Sequence, residues 1–259
     1  MSYLNIFKQF VKSLYSPKDI AKFRFQGIGK TILYIFLLML ISVIPVAYHF
    51  TSMTLAGLEA GQNTLTKDLP DFKIDGGQLQ SDSSKPVFVK KDGMTIVLDS
   101  TGTVTDQELK EKENAIGLLQ TEAVITANGK VQKYPYSTFN GLHITNKDIS
   151  SFLKSFKDNI WIILPVLFLI YYLFVSAVGF IKVSIFALIG TVLAGIQSKK
   201  LPYRQSYRIT AYAITLPTVF FALMDLLKTA VPLGAVLDWA VIMIMLTLVI
   251  KEMPKPKVK

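Results

Sequence analysis

Long apolar runs constrain this chain more than any other feature. Thr31 to Tyr48 and Trp161 to Ile181 are the longest. Each is close to the roughly 20 apolar residues that an α-helix needs to cross a hydrocarbon core about 30 Å thick. In such a core a helix satisfies its own backbone hydrogen bonds, so runs of this length predict spanning helices. Charged residues make up 18% of the 259 and hydrophobic ones 51%, whereas about a quarter of an ordinary soluble domain is charged.

The net charge of +10 would suggest a nucleic-acid ligand if it lay on one water-exposed face. Its location says otherwise. Between Thr51 and Asp158 there are 12 lysines and no arginine against 14 acidic residues, a net of −2. The surplus therefore flanks the apolar runs, where it reads as a topology signal and a contact with anionic lipids at the cytoplasmic face. Nucleic acid is not an expected partner. The chain has no cysteine, which removes disulfides, thiol catalysis and thiolate metal sites from consideration.

Three basic clusters orient the chain by the positive-inside rule. Lys8, Lys12, Lys18, Lys22, Arg24 and Lys30 precede the first run; Lys199, Lys200, Arg204 and Arg208 form the second; Lys251, Lys255, Lys257 and Lys259 form the third. All three are expected in the cytoplasm. No A-x-A-like site follows Phe50, so the first run is expected to stay as a span rather than be cleaved as a signal peptide. The expected fold is an α-helical multi-pass membrane bundle with an inserted extracytoplasmic α+β domain. It has about four spans plus a short interfacial helix. Residues 1–30 form a cytoplasmic amphipathic segment, 31–50 a transmembrane helix and 51–158 the extracytoplasmic domain. Residues 159–250 form the C-terminal transmembrane region and 251–259 a basic tail. Within 160–196, one crossing is expected to end near Ile181, with Lys182 at the inner surface and Val183 to Ile196 as the interfacial helix. A five-crossing arrangement would instead put the second and third clusters outside.

Local signals fill in this outline. Leu4, Phe7, Val11 and Leu14 recur at helical spacing, widened by Ile6 and Phe10, opposite Asn5, Lys8, Gln9, Lys12 and Ser13. That pattern suits a helix in the inner interface. Ser16-Pro17-Lys18-Asp19 reads as a helix start. In the inserted domain, Pro86–Val89 and Met94–Leu98 flank Lys90-Lys91-Asp92-Gly93 as a hairpin. Ala123–Ala127 and Lys130–Tyr134 flank Asn128-Gly129, the strongest short hairpin signal. Thr105-Asp106-Gln107-Glu108 is a capping box opening a helix to about Asn114, and Thr145-Asn146-Lys147-Asp148 resembles another helix start.

Ser16-Pro17, Phe23-Arg24, the run Ile96-Val97-Leu98-Asp99-Ser100-Thr101-Gly102, the basic loop and Tyr212 to Pro217 together resemble an uncharacterised Gram-positive membrane family, a domain of unknown function. Its members are sometimes labelled maltodextrin-utilisation proteins. Tyr207 to Leu223 is also distantly similar to the YIP membrane-trafficking family. The large insertion after the first span departs from YIP proteins, so their role is not carried over. Neither resemblance implies catalytic residues or a cofactor.

Candidate chemistry is sparse. His49 and His143 are the only histidines, and neither has an acid cluster at ligand spacing. No P-loop, G-x-G-x-x-G, G-x-S-x-G or H-E-x-x-H occurs. Asp71, Asp75, Asp99 and Asp106 lack EF-hand spacing, and Asp99 reads as a turn former. No catalytic, cofactor or metal residue is expected, and the protein is not expected to be an enzyme. Sugar-stacking candidates in the inserted domain are Tyr134, Tyr136, Phe139, Phe72 and Phe88, while Trp161 and Trp239 read as interfacial anchors. Asp225, Lys228 and Asp238 stand out, because ionisable groups in spans are costly and often functional. They are expected to form one polar cluster near the outer ends of the last two spans, with Asp225 and Lys228 paired at i, i+3. Three readings follow: an accessory or scaffold for envelope or uptake machinery with a membrane-protein partner, a receptor-type sensor, or a small transporter using the Asp/Lys cluster.

The topology is testable in this cysteine-free chain. Asn128→Cys should react with an impermeant maleimide in intact cells, and Lys257→Cys should react only after permeabilisation. Labelling of position 257 but not of 128 would overturn the orientation.

Overall fold

The structure, a computed structural model, describes residues 5–91, 93–112, 114–127, 130–139, 141 and 143–254. The Asn128-Gly129 turn, Asp92, Leu4, and Lys255, Lys257 and Lys259 lie outside the described residues. The chain divides into two compact units, Met1–Ser52 with Ile163–Lys259, and Met53–Ile162. In chain order the helices are α1 (Ile6–Tyr15), α2 (Pro17–Lys22), α3 (Ile28–Asn63), α4 (Asp106–Lys110), α5 (Asn146–Ile196), α6 (Tyr203–Ala213), α7 (Thr215–Leu226) and α8 (Gly234–Lys251).

Four helical stretches are long and apolar enough to cross a membrane: Ile28–Asp68, Asn146–Ile196, Tyr203–Leu226 and Gly234–Lys251. The separate interfacial helix expected over Val183 to Ile196 is not formed. α5 runs unbroken through Lys182 for 51 residues, because the lysine finds a partner described below and Gly179 and Gly190 pack against neighbouring helices instead of ending the helix. Below Val175, α5 buries one narrow face of small and branched residues at helical spacing, including Ser176, Val183, Ala187 and Ala194. Gly190 lies on it, and a Cβ there would come within 2.5 Å of Ser206 Oγ on α6. Ser206 Oγ in turn donates to the Ala187 carbonyl at 2.7 Å. Close approach through small residues with a hydroxyl across the seam is how apolar helices associate when no water is displaced.

The N-terminal helices dock on this bundle. Ser16 caps α2, with its Oγ accepting from the Asp19 amide at 3.3 Å. On α1 the buried residues are the polar Gln9 and Ser13, while Phe7, Val11 and Tyr15 are exposed. Gln9 and Ser13 thus face protein together with the partly buried Ile6 and Phe10, while Phe7 and Val11 of the apolar stripe face outward. Tyr212 Oη lies 3.1 Å from both Gln9 Oε1 and Gln26 Oε1, and its ring packs at a tilt against Tyr34 at 4.1 Å and Phe23 at 4.7 Å. Lys12 of α1 and Lys22 of α2 converge on Asp19 at 3.1 and 3.0 Å. Burial alone would raise the Asp19 carboxyl, but hydrogen bonds from Lys12, Lys22 and Ser16 outweigh it and hold it at about 2.

The second unit contains two sheets. Strands β1 (Phe72–Asp75), β2 (Gln78–Ser81) and β8 (Ile144–Thr145) form one in the order β2-β1-β8. Strands β3 (Val87–Lys91), β4 (Met94–Leu98), β5 (Asn114–Leu118), β6 (Glu122–Ala127) and β7 (Lys130–Pro135) form the other in chain order. Lys91 pairs with Met94 and Ala127 with Lys130, both antiparallel. Only β4 and β5 run parallel, with α4 in the crossover between them. The capping box at Thr105 is present, but its helix stops at Lys110 and Asn114 opens β5. The apolar run Ala115 to Leu118 pairs as a strand instead of continuing the helix. The β1–β2 hairpin, unread in the sequence, turns on Gly76 and Gly77, both at positive φ. Neighbours Val97 and Leu98 point to opposite faces of the sheet, and both are buried, in two separate cores.

Asp99 ends β4 fully buried. Its carboxylate accepts from the Thr101 amide at 2.9 Å, Thr101 Oγ1 at 2.6 Å and the Val104 amide at 2.7 Å. Burial raises its pKa, but these bonds prevail and hold it below the ordinary carboxylate range. A carboxylate with a depressed folded pKa contributes stability above its unfolded value, near 3.9, and loses it as pH falls through the folded one. Asp99→Asn presents an amide where an acceptor is needed, and should cost about 1–3 kcal/mol at neutral pH. Melting of the purified full-length protein should show that penalty, and the gap to wild type should narrow below about pH 4.

Candidate functional site

Lys182 on α5 and Asp238 on α8 form an ion pair, with Nζ 2.6 Å from Oδ2 and 2.8 Å from Oδ1. Both side chains are mostly buried, at 27% and 16% exposure. Trp239 places its ring edge-on to Phe186 at 5.1 Å beside the pair. Farther along, Gln197 Nε2 reaches the Thr247 carbonyl and Lys199 Nζ the Met253 carbonyl. α5 and α8 therefore run side by side in the same direction. At 1.5 Å per residue, the pair sits about 20 Å along α8 from Lys251.

The pair forms one wall of a cavity of about 370 Å³ to which all four candidate spans contribute. Met39 and Ser42 come from α3, Val178 and Gly179 from α5, Thr218, Phe221 and Asp225 from α7, and Gly234 and Ala235 from α8. Asp225, near the end of α7, makes no ion pair among the described residues. The cavity thus combines apolar walls with a neutralised pair and one further carboxylate. It can hold a small amphipathic or cationic group.

The structure brings Asp225 and Asp238 together but gives Asp238 a different partner from the one expected. α7 ends at Leu226, and Lys228 lies past it, exposed and in the left-handed region at φ 53. The helical i, i+3 geometry that would pair it with Asp225 is lost there, and Lys228 makes no ion pair among the described residues. The cation of the cluster is Lys182. The contact also corrects its depth: Lys182 and Asp238 lie at one level, so Lys182 cannot mark the inner surface while Asp238 lies near the outer end. The available signal was a lone lysine inside a long apolar run.

The other candidates resolve into structural roles. His49 Nε2 lies 3.0 and 3.1 Å from the carbonyls of Asp225 and Leu226. These oxygens only accept, so the ring donates and caps the C-terminus of α7. In the sheet unit, His143 Nδ1 is 2.8 Å from Asp75 Oδ1. No group of three metal-ligating side chains occurs among the described residues. Phe72 and Tyr136 are core. Phe88 and Tyr134 are exposed, but they lie on β3 and β7, opposite edges of the five-stranded sheet, and form no shared stacking platform. The side chain of Phe139 lies outside the described residues.

Four apolar helices of spanning length around a charged cavity, with a two-sheet unit inserted after the first, have the makeup of a multi-helix membrane protein. Within that class the chain belongs to the family described as Protein of unknown function (DUF1189), whose model matches residues 7–250. Neither a curated protein nor a solved structure matches the chain. The likeness to YIP proteins and the maltodextrin label rest on the short sequence motifs alone.

Breaking a mostly buried ion pair strands a charge, whereas removing both members leaves only volume to fill. Lys182→Met and Asp238→Leu should each destabilise the purified protein by on the order of 2 kcal/mol, and the double variant should recover most of the loss. Lys228→Met should stay within about 0.5 kcal/mol of wild type. A Lys228 variant as damaging as Lys182→Met in thermal melts would refute the assignment.

Proposed function

We propose that the protein is a non-catalytic, multi-pass protein of the cell membrane that serves envelope or uptake machinery as an accessory or scaffold. Both termini are cytoplasmic, and the two-sheet unit is displayed outside on the helices that flank it. The observation that carries this reading is the Lys182–Asp238 pair. Two costly intramembrane charges neutralise each other and tie two spans together, which is a structural use of charge. α3, α5 and α8 also run continuously through the level of the cavity, whereas transporter sites are usually built from unwound or broken helices. The reading implies a membrane-protein partner and contact with anionic lipid on the cytoplasmic side. Maltodextrin uptake is the process that the family resemblance suggests.

A second reading, a small transporter, is favoured by one observation: Asp225 lines the cavity without an ion partner among the described residues. The Lys182→Met/Asp238→Leu double variant separates the two. A scaffold should keep its native complex in a blue-native gel of solubilised membranes, and wild-type proteoliposomes should pass protons and monovalent cations no faster than empty ones. Flux through the wild type that disappears in the double variant and in Asp225→Asn would reject the scaffold in favour of transport.

A further inference from the structure

A second cavity, of about 220 Å³, lies among the residues where α6 begins. It is lined by Tyr203, Arg204, Tyr207 and Arg208 of α6, with Ile28 at the start of α3. The two arginines are one helical turn apart, and so are the two tyrosines, whose rings are 6.2 Å apart. Neither arginine pairs with a carboxylate among the described residues. Arg208 is held in place by a bond from Nη1 to the Arg24 carbonyl at 3.0 Å, yet its Nε is buried without a hydrogen-bond partner. The first turn of α6 has no acidic residue, and Pro202 at its N-cap supplies no side-chain cap.

This arrangement is incomplete by itself. A cation in the first turn faces the positive end of the helix dipole, where an anion is favoured and a cation is not. A buried guanidinium N–H without an acceptor adds a further cost. An anion between the arginines would relieve the first; Arg208 Nε is itself closed to solvent, and that side chain would meet the anion through its terminal nitrogens. Guanidinium groups match the geometry of phosphate oxygens with paired hydrogen bonds, tyrosine hydroxyls add donors, and Ile28 supplies an apolar lip.

We propose that this cavity is a binding site for a phosphate group, carried by an anionic phospholipid headgroup or by a soluble phosphate ester. The lipid source rests on the membrane reading above, and the soluble source does not. The charged cavity around Lys182 is a separate site, so failure here leaves the scaffold reading standing.

The test uses the purified full-length protein in a nonionic detergent. Phosphatidylglycerol and phosphatidylcholine are added in micelles, and glycerol 3-phosphate is titrated separately, with melting temperature and native mass spectrometry as readouts. Wild type should gain stability and retain bound lipid with phosphatidylglycerol, or saturate with glycerol 3-phosphate, and not respond to phosphatidylcholine. Response to the lipid alone assigns a headgroup, and response to glycerol 3-phosphate assigns a soluble ester. Arg204→Gln, which leaves the Arg208–Arg24 bond intact, should weaken apparent affinity about tenfold, the size of one charge-assisted hydrogen bond. Arg204→Lys/Arg208→Lys, which keeps the charge but not the fork, should also weaken it. Lys200→Gln removes the same single charge nearby and should leave it within a factor of about two. Equal loss in the lysine control, or no response to either ligand, would overturn the proposal.

Discussion

A charged side chain on a helix otherwise made of leucine, isoleucine and phenylalanine has few places to go. It can reach for water at an end of the helix, lose its proton, or meet an opposite charge on a neighbour. Lys182 takes the third course with Asp238, and much of the helical arrangement depends on that contact. It fixes the relative height of α5 and α8, lets α5 continue as one helix instead of breaking, and sets the wall of the cavity that Asp225 also lines. Once the pair is formed, the packing of the two helices toward Lys251 follows, with Gln197 and Lys199 bonding to carbonyls near the end of α8.

The remaining contacts of the bundle use a different device. Gly190 lets α6 approach until the Ser206 hydroxyl reaches a backbone carbonyl of α5. Tyr212 gathers Phe23, Tyr34, Gln9 and Gln26 around one ring and one hydroxyl. The N-terminal helices are thereby part of the bundle, clasped further by Asp19 between two lysines. On α1 the polar Gln9 and Ser13 face protein while Phe7, Val11 and Tyr15 face outward, a partial inversion of the pattern of a helix on a water-soluble surface. The inversion makes physical sense where the exterior is lipid.

The sheet unit is organised by conventional rules. β4 is buried on both faces, so its apolar residues run consecutively and feed two cores. Asp99 closes the strand by gathering the donors of the turn that follows, and α4 returns the chain for the one parallel pairing. Among the described residues of the five-stranded sheet, the exposed aromatics Phe88 and Tyr134 sit on opposite edges and share no stacking surface.

What the sequence determined by itself was whatever depends on neighbours along the chain. The length of the apolar runs defines four helices of spanning length, because helix rise and hydrocarbon thickness are fixed quantities. The caps at Ser16, Thr105 and Thr145 start helices because their hydroxyls satisfy amides two or three residues on. The Gly76-Gly77 pair belongs with them, because a turn needing positive φ at both positions takes glycine without strain. Tertiary structure alone decided which charge meets which. Lys182 and Asp238 are 56 positions apart, and Lys228, ten residues from Asp238, fell out of reach when α7 ended at Leu226 and the backbone turned left-handed. Sequence spacing predicts contacts only while the helix continues; across helices the partner is set by register and depth, which come from packing of the whole bundle.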